Sequence, residues 1–266
     1  MASHNYNLCP EHLSQKYMGI PYVFLDIPRI VPDEHFVDMF HEQSRYVRRL
    51  EKTTGYPFSA EEAAARSLED PLFKNEYTDQ GSNWRGFFLT PTRDTTMNHV
   101  VIDGGKEFPK LFEQLHTYLP VNSIDKIRCW ENQYPIGLHR DIEEQYSGVP
   151  TSLRIMLDDN NPEPTFWLAP KPSDKKGWGY ERINPANNNR QGVTDDAIFV
   201  DTTNKTGSNT FVFNNYEFCH AAKKNANYNK ILMFIVPNWN WVDYEKLLDR
   251  SIEKFTPTRL NFNQEF

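Results

Sequence analysis

His139-Arg140-Asp141 sets an imidazole and a carboxylate two residues apart, and a second imidazole, His220, follows after a long polar interval with Lys230 beyond it. In an extended segment, positions i and i+2 lie on the same side of the backbone, so one short stretch supplies two metal donors. Two His and one carboxylate are the ligand set that holds a redox metal on one face and leaves the other face open. His220 follows Thr210-Phe211-Val212-Phe213, an apolar run of strand length, and Lys230 opens Lys230-Ile231-Leu232-Met233-Phe234-Ile235-Val236, which ends at Pro237. The polar Lys223-Lys224-Asn225-Ala226-Asn227 between the two runs predicts a hairpin that brings Lys230 close to His220. A metal beside a fixed positive charge suits a dicarboxylate.

Each of these residues also has a plainer reading. An Asp orienting a nearby His in a turn is common and needs no metal. His220 fits a half-buried imidazole at a strand end, and Lys230 fits a solvated strand-edge residue that blocks aggregation. Arg154, in an otherwise apolar stretch, is either satisfied by an acidic neighbour or binds an anion. The conjunction favours the metal site. His-Arg-Asp also occurs in the catalytic loop of protein kinases, but that loop needs an Asn five residues after the Asp and position 146 is Tyr.

Ile127-Arg128 through His139-Arg140-Asp141, then Ser152-Leu153-Arg154-Ile155-Met156-Leu157-Asp158, then Gly207 to His220-Ala221-Ala222 and Lys230, resembles the core of the Fe(II)/2-oxoglutarate oxygenases. It looks most like the branch of aspartyl/asparaginyl β-hydroxylases and cis-proline hydroxylases, over about residues 124 to 238. The resemblance implies that His139, Asp141 and His220 bind Fe(II). Lys230 then pairs with the distal carboxylate of 2-oxoglutarate, where many relatives have Arg, and a point charge replaces a planar fork. Arg154 falls where that branch holds a carboxylate of cosubstrate or substrate, and Tyr134 joins the cosubstrate-binding set. With O2, such a site hydroxylates an unactivated C–H bond and releases succinate and CO2; the carboxylate of Asp141 points to hydroxylation and not halogenation.

The substrate implied is an amino acid, or an amino-acid residue in a small molecule or peptide. Glu143 and Glu144 stand where an ammonium group would be met, or are solvated loop acids. Trp167, in the polar stretch 158 to 195 with Trp178 and Tyr180, fits a lid over the site or a surface excursion. Trp239 and Trp241 fit a pocket mouth or an anchor for the C-terminal helix. Two other classes stay open: a cupin-type metal isomerase or lyase, and a non-catalytic binding protein on the same scaffold.

The elements that must position these residues change character along the chain. Residues 20 to 31 read as a first strand. Phe36, Met39, Phe40, Tyr46, Val47 and Leu50 at helical spacing, with early acids and late Arg48-Arg49, predict a helix from Asp33 to Leu50. Ser59 with Glu62 forms a capping box for a second helix. Helices are expected from Phe108 to Leu119 and from Val242 to Phe255, with a strand at Trp84 to Leu89 between. From Ile124 the pattern becomes short strands, at 124 to 134, 151 to 158, 165 to 169, 197 to 202, 209 to 218 and 230 to 237. This predicts an α+β fold, mainly β, with a double-stranded β-helix (jelly-roll) core. We read one domain over 1 to 266: a helical and mixed support region to 120, the core at 121 to 240, then a C-terminal helix and tail.

Composition narrows the class. A net charge of −7 disfavours nucleic acid or an anionic membrane as partner. A mean hydropathy of −0.70 without a long apolar run gives no membrane span. Aromatic residues at 14% favour a β-rich core and an aromatic-lined pocket. The polar start Met1-Ala2-Ser3-His4-Asn5 carries no signal peptide pattern. Cys9, Cys129 and Cys219 are scattered, so the expected compartment is a reducing cytoplasm.

Overall fold

The structure is a computed structural model that describes residues 9–46, 48–49, 84–89, 97–98, 100–132, 136–139, 149–157, 166–170, 198–200, 207–214, 218–222 and 231–255. Its elements in chain order are α1 (Glu11–Tyr17), β1 (Tyr22–Phe24), α2 (Phe36–Gln43), β2 (Arg45–Tyr46), β3 (Arg48–Arg49), β4 (Trp84–Phe88), β5 (Met97–Asn98), β6 (Val100–Val101), α3 (Gly104–Glu107), α4 (Pro109–Tyr118), β7 (Val121–Asn132), β8 (Ile136–His139), β9 (Ser152–Met156), β10 (Phe166–Pro170), β11 (Ile198–Val200), β12 (Thr210–Phe213), β13 (Phe218–Ala222), β14 (Ile231–Trp239) and α5 (Trp241–Phe255). The fold is α+β. Among the described residues no helix is long and apolar enough to cross a membrane.

An eight-stranded sheet runs β1-β12-β9-β14-β7-β4-β2, with β6 parallel to β4. A four-stranded sheet runs β11-β10-β13-β8. All pairings within β7 to β14 are antiparallel.

Alternation divides the two faces of the large sheet. Ile127 and Cys129 of β7, Leu153 and Ile155 of β9, Val212 of β12 and Met233 and Ile235 of β14 join Phe36, Phe40, Leu111, Leu115, Tyr244, Leu247 and Leu248 of the helices in one core. Each such side chain contributes about 1.5–3 kcal/mol when removed from water. On α5 the buried set Trp241, Tyr244, Leu247, Leu248 and Ser251 has the spacing of one helical face. The opposite face of the sheet carries a second cluster, Phe24, Met156, Phe211 and Phe213, joined by Phe218 from the small sheet. β9 is therefore buried on both faces along its whole length.

Polar side chains at element ends pin the layers. Asn209, 4% exposed, donates through Nδ2 to Ile30 O at 2.7 Å and Met156 O at 2.8 Å, and accepts from Ile30 N–H at 3.0 Å. Asp33 accepts from Lys110 N–H and Leu111 N–H, satisfying first-turn donors of α4 that its own N-cap, Phe108, leaves open. Gln114 brackets both backbone groups of Val31.

Several expectations need correction. The helix expected to Leu50 ends at Gln43, and Arg45-Tyr46 and Arg48-Arg49 pair in strands with β4 and β5. Cross-strand pairing overrides a helical spacing there, and the early acid Asp33 serves α4 instead. The strand expected at 209 to 218 is two strands in different sheets. Asn214, fully buried, donates its N–H to Pro21 O and accepts from Phe218 N–H where the chain crosses over. The hairpin joining the His220 segment to the Lys230 segment does not form, since β13 pairs with β10 and β8 while β14 pairs with β7 and β9. The helix expected from Ser59 lies outside the described residues.

Candidate functional site

β8 ends at His139, and β13 carries His220 near its centre. Their Cα positions are register partners, so the two histidines stand directly opposite each other on adjacent antiparallel strands. Positions opposed in this way share a face and lie about 4.5–5.5 Å apart. On its other side His220 is opposed by Leu168 of β10, and Trp167 is opposed by Ala221.

The register slips immediately beyond this pair. Ala222 is opposed by Ile136, so β8 places one more residue than β13 between the two pairings. Such a bulge bends the strand locally, and bulges concentrate at sheet edges and beside active sites.

The face on which the histidine positions lie follows from Phe218. That residue packs with Phe24, Met156, Phe211 and Phe213 of the large sheet. Position 220 has the same parity on β13, and position 139 opposes it, so both share the face turned toward the large sheet.

On the large sheet that face holds Arg154, 5% exposed. Its Nη1 donates to Ser152 Oγ and Leu153 O, each at 3.1 Å. Its guanidinium lies 3.8 Å from the Phe234 ring centroid and 4.9 Å from that of Phe213. Across the sheet, Phe24, Phe211, Arg154, Phe234, Arg128 and Phe88 are successive register partners. Arg128 therefore meets the other side of Phe234, at 4.3 Å, and lies 4.7 Å from the ring of Trp130. Arg128 was not among the site residues expected, although the alternation Ile127-Arg128-Cys129-Trp130 holds the signal: a charge at the inward position of an apolar strand.

Of the other expected site residues, Tyr134, Asp141, Glu143, Glu144 and Lys230 lie outside the described residues. Trp239 takes the second of its two readings, the helix anchor, and its place among the substrate residues is corrected. It is 1% exposed in the helix-side core, with its ring stacked on Tyr244 at 3.9 Å between centroids, so it anchors α5 and does not line a pocket mouth. Burial pushes the Cys129 thiol well up, which keeps it neutral and unreactive at neutral pH. Among the described residues no group of three or more His, Cys, Asp or Glu is gathered as a metal site.

No family model, curated protein or solved structure matches the chain. Its function is therefore argued from the geometry and from the residues themselves.

Proposed function

We propose that the chain is an Fe(II)- and 2-oxoglutarate-dependent oxygenase that hydroxylates an unactivated C–H bond of an amino acid or amino-acid-derived compound. The opposition of His139 and His220 carries this reading. Residues 81 apart in sequence gain no register relationship from local patterning, and cross-strand His positions at this separation suit two imidazoles reaching one ion. The donor set fits a 2-His-1-carboxylate centre, with Asp141 two residues after His139 as the carboxylate.

The strand order supports a jelly-roll core. Counting β7 to β14 as first to eighth, the large sheet contains the order 6-3-8-1 and the small sheet 5-4-7-2. Consecutive strands thus alternate between sheets at the start and the end of the series, as two interleaved Greek keys require.

Iron bound by His139, Asp141 and His220 would supply the coupling of 2-oxoglutarate decarboxylation, with O2, to substrate hydroxylation. Around it, Lys230 and Tyr134 hold the cosubstrate, and Arg154, charged and desolvated, orients a carboxylate.

The test is anaerobic titration of the iron-loaded chain with 2-oxoglutarate, following the weak visible charge-transfer band of the bidentate chelate. The band is expected in the wild-type chain and lost in His220→Ala. Iron binding with no band sinks the cosubstrate reading and moves a cupin-type isomerase or lyase forward. No metal binding at all leaves a non-catalytic binding protein.

A further inference from the structure

β1 is the outer strand of the large sheet. Among the described residues it pairs on one side only, with β12. Leu25 N–H bonds Thr210 O and Asn214 N–H bonds Pro21 O, each at 2.9 Å, so positions 21, 23 and 25 turn their backbone groups toward β12. In an antiparallel ladder the positions between turn theirs to the opposite edge. Phe24 is such a position, and its N–H and C=O meet no backbone group among the described residues. Phe24 is also 5% exposed, which leaves little room for water to take those bonds. An edge of this kind is a template for one more strand.

The chain itself supplies a strand at short range. The last turn of α5 is fastened to the end of β1: Ser251 Oγ accepts from Asp26 N–H at 2.8 Å, Arg250 donates to Asp26 O at 3.3 Å, and Lys254 pairs with the Asp26 carboxylate. Phe255 then meets Phe24 edge-on, with 6.4 Å between centroids. Phe255 and Tyr22 belong to the partly buried rim of the cluster that Phe24 joins. The residues that follow lie outside the described residues, and their sequence is Thr256-Pro257-Thr258-Arg259-Leu260-Asn261-Phe262-Asn263. Pro257 does not continue a helix. From Arg259 polar and apolar residues alternate with the period of a strand, which gives Leu260 and Phe262 one face. The segment from Thr256 to Arg259 reaches about 14 Å when extended, and neighbouring strands are about 4.8 Å apart, so a turn and a return along β1 both fit.

We propose that residues 259–263 add to the edge of β1 at Phe24 as an antiparallel strand, and that Leu260 and Phe262 cover the rim of the Phe24 cluster. Leu260 then stands opposite Phe24, donating its N–H to Phe24 O and accepting from Phe24 N–H. The short tether gives this segment an effective concentration on the order of millimolar, so it outcompetes the same segment of a second copy. The site does not depend on the oxygenase reading.

The test is amide hydrogen exchange, read residue by residue on the full-length chain. In wild type the Phe24 N–H is expected to exchange within about tenfold of those of Val23 and Leu25, which bond β12. Leu260→Pro removes one of the two bonds to Phe24 and sets the proline ring against β1, so it should speed Phe24 exchange at least roughly tenfold while Val23 and Leu25 hold. Asn261→Pro removes only an N–H that faces away from β1, and should leave all three amides within about threefold. Val23 and Leu25 report whether each variant folds. Should Leu260→Pro unfold, Phe262→Asp carries the test, because it keeps every backbone donor, sets a charge against the apolar rim and should expose Phe24 in the same way.

A wild-type Phe24 amide that exchanges more than roughly tenfold faster than Val23, or one equally protected in the folded variants, overturns the proposal. Light scattering on the same samples decides where the strand comes from. A monomer is expected; a dimer whose Phe24 protection fades on dilution means that a second copy supplies the strand, and overturns the intramolecular arrangement.

Discussion

His139 and His220 are register partners across β8 and β13, with a bulge in β8 just beyond them. On the oxygenase reading proposed above, these two opposed positions supply two ligands to one ion, so metal affinity should depend on both. Either His139→Ala or His220→Ala should reduce Fe(II) affinity by more than the roughly 10–100-fold that loss of an outer-shell partner costs. Metal content after dialysis against a graded chelator measures it. Retention of wild-type affinity in both variants removes the metal site.

Asn209 ties three backbone groups to one side chain. It bonds both backbone groups of Ile30 and the carbonyl of Met156, all buried. Asn209→Ala leaves these groups without side-chain partners and should destabilise the chain by about 2–4 kcal/mol. Urea unfolding with an unchanged slope and a lower midpoint is the expected result.

Gly86 of β4 lies against β7, and a Cβ there would sit 2.2 Å from Cys129 O and 3.0 Å from Trp130 Cβ. The nearest obstacle is backbone, so the strands must part. Gly86→Ala should cost about 1–3 kcal/mol or more. It should also disturb the Trp130 side of Arg128, which a shift in tryptophan fluorescence would register; a variant as stable as wild type would contradict the close approach.

Tyr244 donates to Pro150 O from within the core, and burial, with Tyr17 and Cys9 nearby, pushes its phenol well above the ordinary value. The folded chain therefore keeps a proton that the unfolded chain releases near pH 10. Stability is full below that pH and falls as pH rises beyond it, by up to about 1.4 kcal/mol per pH unit from this group. Buried Cys129 acts with the same sign, from the lower thiol range upward. Tyr244→Phe should be less stable by about 1–2 kcal/mol at pH 8, where only the hydrogen bond is missing. Unfolding measured from pH 8 to 11 should show that gap narrowing above pH 10; a constant gap would mean that Tyr244 ionises normally in the fold.

Local pattern alone determined much of the frame. The apolar spacing of Leu111 and Leu115, with Pro109 at the start, places α4 within a residue of expectation, and α5 is legible from Trp241, Tyr244, Leu247 and Leu248. These helices bury one face each, and burial of a face leaves a period in the sequence. Residue types that could do chemistry, at His139, His220 and Arg154, stand out in the sequence because charged and ligating residues are conspicuous in apolar strands. Only the tertiary structure decided which strands are neighbours. It separated β12 from β13 at Asn214, replaced the expected hairpin with a pairing of β13 to β8, and brought Arg128 and Arg154 to opposite sides of Phe234. It also took Trp239 from a pocket to the core and ended α2 at Gln43. Strand partners are chosen by contacts between distant segments, and the energy of those contacts leaves no period along the chain by which to read them.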